Sequence, residues 1–456
     1  MSDPSLSVTF VGGARSVTGA HFLVESKEKG NTTRIAVDCG LTQGERFCES
    51  TNGEPFPYDV ATLDAVFFTH AHADHIGRFP KLVKDGFRGD AYATPPTRDL
   101  MPIMLKDSVS IMAREAKSCG DTPPYTQEDM EQAIGLLKSL EYTESVSVGN
   151  LTITFYNAGH ILGSALILVE TSEKRILFTG DLGRESSLIV ANREIPSGPI
   201  DMLVIDSVYG NRVHNDSEES EATLLATIRR VQEKKGTLLI PSFSLERTQI
   251  ILALIDRFVE SGNLEPLPVF LDSPLAIQVT ELYRKYTKYL NPEMQQRIAA
   301  GDDPFSFPSF KMLYSAEDSK EVDDTTPPKV VIAGAGMSHG GRIRSHETHY
   351  LPGAQNELLL VGYQVPGSLG RRLQDGARTV TINKKSVKVR AKVSKVGGFS
   401  AHADREGLLS FVEAVNPKAV SVVLGEMESA SFFAQRVNGF LGIETSIPQV
   451  GECFEV

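Results

Sequence analysis

The sequence lacks the features of a membrane protein, a disulfide-stabilised secreted protein or a protein that coats nucleic acid. Its 456 residues include only four cysteines and no CxxC pair, so we expect reduced thiols. No apolar run approaches the ~18 residues of a membrane helix, and the first ten residues do not resemble a signal peptide. The net charge of −12 argues against general coating of nucleic acid. We therefore expect a cytoplasmic globular protein without a membrane partner.

Positive charge is concentrated in one stretch of this acidic chain. Residues 371–395 carry nine Lys and Arg side chains against a single acid, Asp375. A local basic stripe of this kind can bind phosphates. Lysines also guard exposed strand edges against aggregation, which is a purely structural explanation. Charge alone leaves both interpretations open.

Histidine is scarce, with ten in the chain, yet three of the ten fall within six consecutive positions. The segment reads His-Ala-His-Ala-Asp-His and follows an apolar run, which predicts a buried strand that ends in a ligand loop. Imidazole and carboxylate are ligands that zinc prefers. The spacing provides two half-sites, because His70 and His72 can point to one side while Asp74 and His75 point to the other.

Three further strand ends each deliver one polar side chain. The pattern predicts strands that stop at Asp38, at His160 and at Asp181. Taken alone, each has a structural explanation, such as an aspartate that forms a turn. Together with the histidine segment they complete two sets of metal ligands, with Asp181 between the sets and Asp38 orienting the ligand loop. The first set is His70, His72 and His160, and the second is Asp74 and His75.

This series of ligands resembles the metallo-β-lactamase superfamily in its order and in its placement at strand ends. The resemblance implies an αβ/βα sandwich with its metals at the rim between two sheets. Small-molecule hydrolases of the superfamily usually end soon after the Asp181-type motif, whereas this chain continues for more than half of its length.

The continuation resembles the β-CASP subfamily of nucleases, because segments similar to its motifs occur in family order over nearly the whole chain. The segments are DSVYGNR at 206–212, PSFSLERTQ at 241–249, DSPLA at 272–276, GAGMSHGGR at 334–342, GYQ at 362–364, GSLGRR at 367–372 and GFSAHAD at 398–404. The general likeness is to bacterial and archaeal relatives of the pre-mRNA 3′-end processing endonuclease.

The expected fold is therefore α/β, a metallo-β-lactamase αβ/βα sandwich with an inserted α/β β-CASP cap domain. Strands that alternate with helical stretches over 208–376 predict a mostly parallel sheet in the cap. The first part of the metallo-β-lactamase domain would span 1–207 and its C-terminal part 377–456. Within these bounds we also expect a helix over 126–140 and a surface loop over 302–328.

The predicted metal ligands and the nuclease-like segments together favour hydrolysis of phosphodiester bonds. Zinc lowers the pKa of a water molecule that it binds to about 7 and offsets charge that builds on phosphorus. In the enzymes that the chain resembles, a histidine of the GFSAH segment pairs with the acid of the (E/D)STYG segment and protonates the leaving oxygen. The matching residues are His402 and Asp206, and pairing with an acid raises the pKa of an imidazole. Asp74 is the third residue expected to take part in catalysis.

Substrate contacts are expected from glycine-rich and arginine-containing loops. A glycine loop between a strand and a helix, such as 334–342, can direct backbone N–H groups at an anion, although glycine also simply turns a chain. The expected phosphate-binding residues, most of them by resemblance, are Ser242, Arg247, Ser338, Gly341, Arg342, Arg371 and Arg372.

Leu424 departs from the family pattern. RNA-cutting members carry a further zinc-ligand histidine at the matching position, about twenty residues beyond the GFSAH histidine. Leucine cannot bind a metal, so we expect one firm zinc site and a second site that is weakened or absent. DNA-acting members also have an apolar residue there, which leaves the choice between RNA and DNA open.

The main functional prediction is a zinc-dependent ribonuclease that cuts single-stranded RNA endonucleolytically at the cleft between the two domains. The first alternative is a DNA nuclease with one zinc, because of Leu424. The second is a catalytically weak RNA-binding scaffold, although the other chemical positions are all present. A small-molecule hydrolase is a weaker alternative, because it would leave the cap without a purpose. The resemblance also suggests a homodimer through the C-terminal region.

Overall fold

The chain forms two units, and the second is inserted into the first. A computed structural model describes residues 5–43, 50–214 and 216–456. The first unit comprises Met1–Val213 and His402–Val456, and the second comprises His214–Ala401. The domain boundaries predicted from the sequence, after residues 207 and 376, stay a prediction.

Short apolar runs form most strands of the first unit before the insertion. These strands are β1 (Ser5–Gly12), β2 (His21–Glu28), β3 (Asn31–Val37), β4 (Ala65–Phe67), β5 (Asp90–Ala93), β6 (Leu137–Ser139), β7 (Ser145–Val148), β8 (Leu151–Asn157), β9 (Ala165–Glu170), β10 (Arg175–Phe178) and β11 (Met202–Asp206). The helices in this part are α1 (Ala73–Ile76), α2 (Phe79–Lys84), α3 (Pro95–Cys119) and α4 (Gln127–Gly135).

Strands and helices alternate through most of the second unit. Its strands are β12 (Thr237–Pro241), β13 (Val269–Leu271), β14 (Phe310–Met312), β15 (Lys329–Ala333), β16 (Glu357–Leu360), β17 (Thr379–Ile382), β18 (Lys385–Lys388) and β19 (Lys392–Lys395). Its helices are α5 (Ser217–Glu233), α6 (Arg247–Glu260), α7 (Pro274–Lys285), α8 (Pro292–Ala299), α9 (Lys320–Asp324), α10 (Ile343–Tyr350) and α11 (Leu369–Gln374). The chain then returns to the first unit as α12 (Arg405–Val415), β20 (Ala419–Val423), α13 (Met427–Arg436), β21 (Glu444–Ser446) and β22 (Cys453–Glu455).

Two seven-stranded sheets form the first unit within the described residues, in the orders β22-β1-β2-β3-β4-β5-β6 and β21-β20-β11-β10-β9-β8-β7. Along β1 every second residue is buried, so the strand presents one apolar face. Residues such as Phe10 and Ile35 of the first sheet share one apolar cluster with Ile153 and Ile167 of the second. A further cluster lies between the second sheet and helices α12 and α13, and α3 packs on β5 and β6. The predicted αβ/βα sandwich is confirmed.

The second unit is built on a parallel sheet in the order β14-β13-β15-β12-β16-β19. All of its strand pairings are parallel, which agrees with the sheet predicted from strand–helix alternation. Strands β17 and β18 form a separate antiparallel hairpin. The apolar side chains Val380, Ile382 and Val387 of that hairpin belong to the same cluster as Leu239 and Leu358 of the sheet.

Two local predictions are wrong. Helix α4 ends at Gly135, and the following residues form β6, which pairs with β5, so the helix predicted over 126–140 is too long. The stretch 302–328 is not all loop, since it contains β14 and α9. In both stretches a strand forms because it pairs with a neighbouring strand, β6 with β5 and β14 with β13. The β-propensity of these residues does not indicate a strand there.

The cysteine expectation holds only in part. Cys39 and Cys453 are free thiols, whereas Cys119 is disulfide-bonded, so the expectation of reduced thiols is wrong there. Spacing along the chain does not show which thiols the fold brings within bonding distance. Cys48 lies outside the described residues. In the described ranges, every helix is too short or too polar to cross a bilayer.

Candidate metal centre

The histidine segment leads from strand β4 into the short helix α1. Two backbone hydrogen bonds fix its path. The Ala20 N–H, directly before β2, donates to the Asp74 carbonyl at 2.9 Å, and the Cys39 N–H, in the loop after β3, donates to the His75 carbonyl at 2.7 Å. A Cβ on Gly40 would lie 1.6 Å from the Asp74 carbonyl oxygen, so only glycine allows this approach. The ligand loop is therefore held by backbone contacts on its inner side.

Four predicted ligands meet at one point. The ligand atoms of His70, His72, His160 and Asp181 all lie within 4.8 Å of one another. Nε2 of His70 is 3.0 Å from Nδ1 of His72, and Nε2 of both His70 and His160 is 3.4 Å from Oδ2 of Asp181. Three imidazoles and one carboxylate converging on a mostly buried point are a donor set that suits zinc.

His75 lies on the other side of the same carboxylate. Its Nε2 is 3.3 Å from Oδ1 of Asp181, and within the described residues this buried nitrogen has no hydrogen-bond partner. A buried nitrogen left in that condition fits a metal ligand. Asp181 therefore contacts both predicted ligand sets, as expected of a residue between them. Asp74 is half-buried and lies outside the group of four.

Asp38 is fully buried behind these histidines. Its carboxylate accepts hydrogen bonds from the Thr69 N–H and the Thr69 hydroxyl, both at 2.8 Å, and lies 2.7 Å from Nδ1 of His75. The Thr69 hydroxyl is also 3.0 Å from Nδ1 of His70. Both rings then direct Nε2 at Asp181, which is the geometry that the predicted orienting role requires. Thr69 is a residue that the sequence reasoning missed, and only its position directly before His70 could have indicated it.

Burial controls the charge of the ligand group. It lowers the pKa of His70 and His160 well below the usual value and that of His72 to about 4, so these rings are neutral and keep a lone pair for a metal. For His75, burial also acts to lower the pKa, but the carboxylates of Asp181 and Asp38 outweigh it and raise the pKa.

The carboxyl groups respond to the same surroundings. Burial acts to raise the pKa of Asp181, but the neighbouring His75 and His402 outweigh it and hold that pKa well below the usual range. Burial raises the pKa of Asp74 to about 6, opposed in part by His75.

His402 lies beside the cluster. Its Nε2 is 3.9 Å from Oδ2 of Asp181, and its ring centroid is 4.5 Å from that of His160. A backbone bridge to Gly183 holds it there. Burial lowers the pKa of His402, in contrast to the rise expected from pairing with an acid.

Asp206 ends strand β11 but does not pair with His402. Within the described part of the chain, its two carboxylate oxygens accept from the backbone N–H groups of Leu182 at 2.6 Å and Val208 at 3.3 Å. Burial raises the pKa of Asp206, and Asp181 adds to this effect. Leu182 in turn accepts a hydrogen bond from the Ala403 N–H at 2.7 Å. Asp206 therefore supports the backbone that carries Asp181 and contacts the His402 segment.

Leu424 is part of the apolar cluster between the two sheets and is fully buried. Its N–H donates to the Gly13 carbonyl at 2.8 Å, and its φ of +49° lies in the left-handed region. The side chain therefore packs in the core at the place where a family ligand is expected.

Most of the predicted phosphate-binding side chains are held by contacts within the second unit. Ser242 donates to the Phe243 carbonyl, Arg247 to the Val361 carbonyl, Ser338 to Glu347, and Arg342 to Asp272 and the Leu313 and Tyr314 carbonyls. Gly341 adopts a φ of +70°. Arg371 pairs with Asp375 at 2.9 Å, while Arg372 is exposed. These contacts shape the loops, and the substrate role of the seven residues stays a prediction.

Three family models match the chain. A metallo-β-lactamase superfamily domain matches residues 28–198, a β-CASP domain matches 248–373, and a Zn-dependent metallo-hydrolase RNA specificity domain matches 386–448.

Curated relatives align over almost the whole chain. Ribonuclease TTHA0252 of Thermus thermophilus is 36% identical over 97% of this chain and 98% of its own length. An RNase J-like protein of Methanocaldococcus jannaschii is 32% identical over 97% of this chain and 98% of its own length. Transcription termination factor FttA of the same organism is 31% identical over 97% of this chain and 70% of its own length. A protein of unknown function from Enterococcus faecalis shares the fold, with a TM-score of 0.59 at 14% identity over 99% of this chain and all of that one.

Proposed function

The chain is a metal-dependent hydrolase of the β-CASP nuclease subfamily within the metallo-β-lactamase superfamily, and from this premise we propose that it is a zinc-dependent ribonuclease that cuts single-stranded RNA endonucleolytically. The observation that carries the proposal is the convergence of His70, His72, His160 and Asp181 within 4.8 Å. The choice of RNA is supported by relatives of nearly the same length that are named as ribonucleases.

These residues would hold one zinc ion firmly. When bound, zinc makes a water molecule acidic near neutral pH and withdraws charge from a phosphoryl group. Nε2 of His70 and His160 and Nδ1 of His72 face one another with their rings neutral. Asp74, His75 and Asp181 would hold a second ion more weakly, because leucine stands at position 424, where RNA-cutting members of the family have a ligand histidine. We therefore expect between one and two zinc ions per chain.

His402 would donate the proton that the leaving oxygen needs. Its Nε2 lies 3.9 Å from Asp181, next to the ligand group. Burial lowers its pKa in the free protein, but a phosphate anion bound beside the ring would raise it and favour the protonated form. Asp206 would act as a positioning residue, because it holds the Leu182 backbone that contacts the His402 segment.

Zinc content and cleavage test the proposal together. Purified protein would be assayed for zinc per chain and offered circular single-stranded RNA and circular single-stranded DNA of one sequence. A circle has no ends, so any cut is endonucleolytic. Asp74→Ala serves as the inactive variant. His349→Ala serves as its matched control, because His349 is an exposed histidine of the second unit.

Cleavage of circular RNA by the wild type and His349→Ala, but not by Asp74→Ala, would support the proposal. Cleavage of linear RNA alone would contradict the endonucleolytic mode. RNA binding without cleavage of either form would contradict the nuclease and favour the catalytically weak scaffold.

A DNA nuclease with one zinc is the second candidate, favoured by the core position of Leu424. Preferential cleavage of the DNA circle, with zinc close to one per chain, would select it. The cytoplasmic location and the homodimer stay predictions. Light scattering during size-exclusion chromatography tests the homodimer.

A further inference from the structure

The basic stripe, residues 371–395, is a strongly charged surface feature in which only Arg371 and Arg372 are already expected to bind the phosphates of the substrate. Of its nine cations, Arg371 pairs with Asp375 at 2.9 Å and Lys392 lies 3.8 Å from Glu357. The others are exposed and form no ion pair within the ranges that the structure describes. They are Arg372, Arg378, Lys384, Lys385, Lys388, Arg390 and Lys395.

The middle of the stripe is a hairpin with one apolar and one polar face. Val380 pairs with Val387, and both are buried in the core of the second unit. The opposite face carries the pairs Thr379–Lys388 and Thr381–Ser386, all exposed. It therefore presents three hydroxyls and a cation, without an acid or a large apolar side chain.

The ends of the hairpin add further cations. Asn383 and Lys384 form its two-residue turn with positive φ values of 50° and 65°, and Lys384 is exposed there. At its base, the Val389 N–H donates to the Arg378 carbonyl, and the exposed Arg390 follows directly. Positive charge therefore runs along the length of the hairpin.

The neighbouring elements do not neutralise this charge. Helices α10 and α11 pack against β17. The acid of α10, Glu347, is fully buried, and α11 contains no acid. Within the described residues of these two helices, the hairpin thus meets no exposed carboxylate.

Strand-edge protection explains only part of the stripe. Strand β19 is an edge strand of the six-stranded sheet, and Lys392 and Lys395 at its two ends suit a guarding role. Arg372, Arg378 and Lys384 lie outside that strand, so guarding of its edge does not require them.

We propose that the basic stripe is a second RNA-contact surface, which binds the sugar–phosphate backbone of the single-stranded substrate outside the metal centre. In naming RNA the inference rests on the proposed function. A polyanion is the partner that fits, because each phosphate neutralised releases condensed counterions. The hydroxyls of the polar face can also donate hydrogen bonds to phosphate oxygens. Backbone contacts of this kind carry no sequence preference, so affinity should depend on length and salt.

Charge reversal at three cations tests the surface. The stripe variant is Lys384→Glu, Lys388→Glu and Arg390→Glu. The control variant is Lys106→Glu, Arg114→Glu and Lys117→Glu, which makes the same charge change at exposed positions of α3 in the first unit. Glutamate keeps each position charged, so strand edges stay protected. Zinc content and thermal denaturation check that both variants fold.

Fluorescence anisotropy would follow binding of a labelled 2′-O-methyl RNA, which resists cleavage, over a range of salt concentrations. We expect the stripe variant to bind at least about tenfold more weakly and its salt slope to fall by about 2, since each lost contact to single-stranded nucleic acid removes ~0.7. The control variant should bind nearly as the wild type does.

Four outcomes would overturn the inference. Equal binding by wild type and stripe variant would reject the surface while leaving the proposed ribonuclease intact. Equal weakening of both variants would show only a general effect of net charge. Binding of matched DNA or of an acidic peptide, but not of RNA, would show that the stripe has a different partner. Cleavage of circular RNA would then test the proposed ribonuclease separately. The fourth outcome is that a Lys392→Gln, Lys395→Gln variant aggregates while the stripe variant binds RNA as the wild type does. Protection of the strand edge would then explain the positive charge.

Discussion

Replacing Asp38 with asparagine should impair metal binding although the side chain keeps its shape. The φ of +59° at this position suits asparagine as well as aspartate, so the backbone should not change. Asparagine must turn its oxygen toward the Thr69 N–H, which places its NH₂ group near Nδ1 of His75. Nδ1 then has to accept a hydrogen bond, so the ring proton moves to Nε2. With a proton on Nε2, that nitrogen has no lone pair to offer a metal.

The expected magnitude follows from the contacts that are lost. Removing the charge-assisted contact of 2.7 Å between Asp38 and His75 should cost about 1.5–3 kcal/mol. Loss of an orienting carboxylate behind a metal ligand typically weakens metal affinity or activity by about 10–100-fold. The effect should reach His70 as well, because the Thr69 hydroxyl contacts both Asp38 and that ring.

Competition with a chromogenic zinc chelator would measure the affinity, and cleavage of single-stranded RNA would measure the activity. Asp64→Asn is the matched control, since Asp64 is an exposed aspartate that accepts the Arg34 N–H at 2.8 Å. Wild-type zinc affinity and cleavage rate in Asp38→Asn would refute the orienting role.

Three further changes test other parts of the structure. Burial raises the pKa of Glu347 to about 8, so its contribution to stability is present below about pH 4.5 and is lost as pH rises through about 8. Glu347→Gln should remove this loss and raise the free energy of unfolding, measured by urea titration, by on the order of 1–3 kcal/mol relative to the wild type at pH 8.5 but not at pH 5; an equal effect at both pH values would contradict it. Leu424→Ala should lower the free energy of unfolding by ~2–5 kcal/mol with zinc content unchanged, and a changed zinc content without lost stability would show that the side chain borders the metals. Gly40→Ala should cost at least ~1–3 kcal/mol by displacing the Asp74 backbone, whereas Gly53→Ala, which meets no atom within 4 Å, should not; equal thermal midpoints would contradict this.

The ligand loop could be predicted because its signals are local. An apolar run followed by closely spaced histidines indicates both the strand and the metal-binding side chains within a few residues. The period-two burial on β1 and the strand–helix alternation of the second unit are also indicated by short stretches of sequence. The predicted ligands His160 and Asp181 come from distant strand ends, yet they too could be named, because each shortly follows an apolar strand. Strands β8 and β10 both run antiparallel to β9, which lies between them, so they end at the same edge of the sheet. Similarity to a family then ordered these pieces into a known architecture.

Contacts between distant residues decided the rest. Asp206 accepts from Leu182 and Val208 instead of pairing with His402, since the strand end at Asp206 brings those backbone N–H groups nearer than the imidazole. The side chain of Arg342 binds Asp272, 70 residues away, so a residue that the motif marks for phosphate is already engaged. Hydrogen-bond partners of this kind depend on which segments the sheets place side by side. Patterns along the chain do not indicate that arrangement.

The basic stripe shows the same division. Nine cations against one acid are visible in the sequence, and so are the two explanations for them. Only the folded chain shows that seven of the nine lack an acidic partner among the described residues and that the hairpin's apolar face is buried while its polar face is exposed. Charge content is a property of composition, whereas the pairing of those charges is a property of distance, which the tertiary structure alone determines.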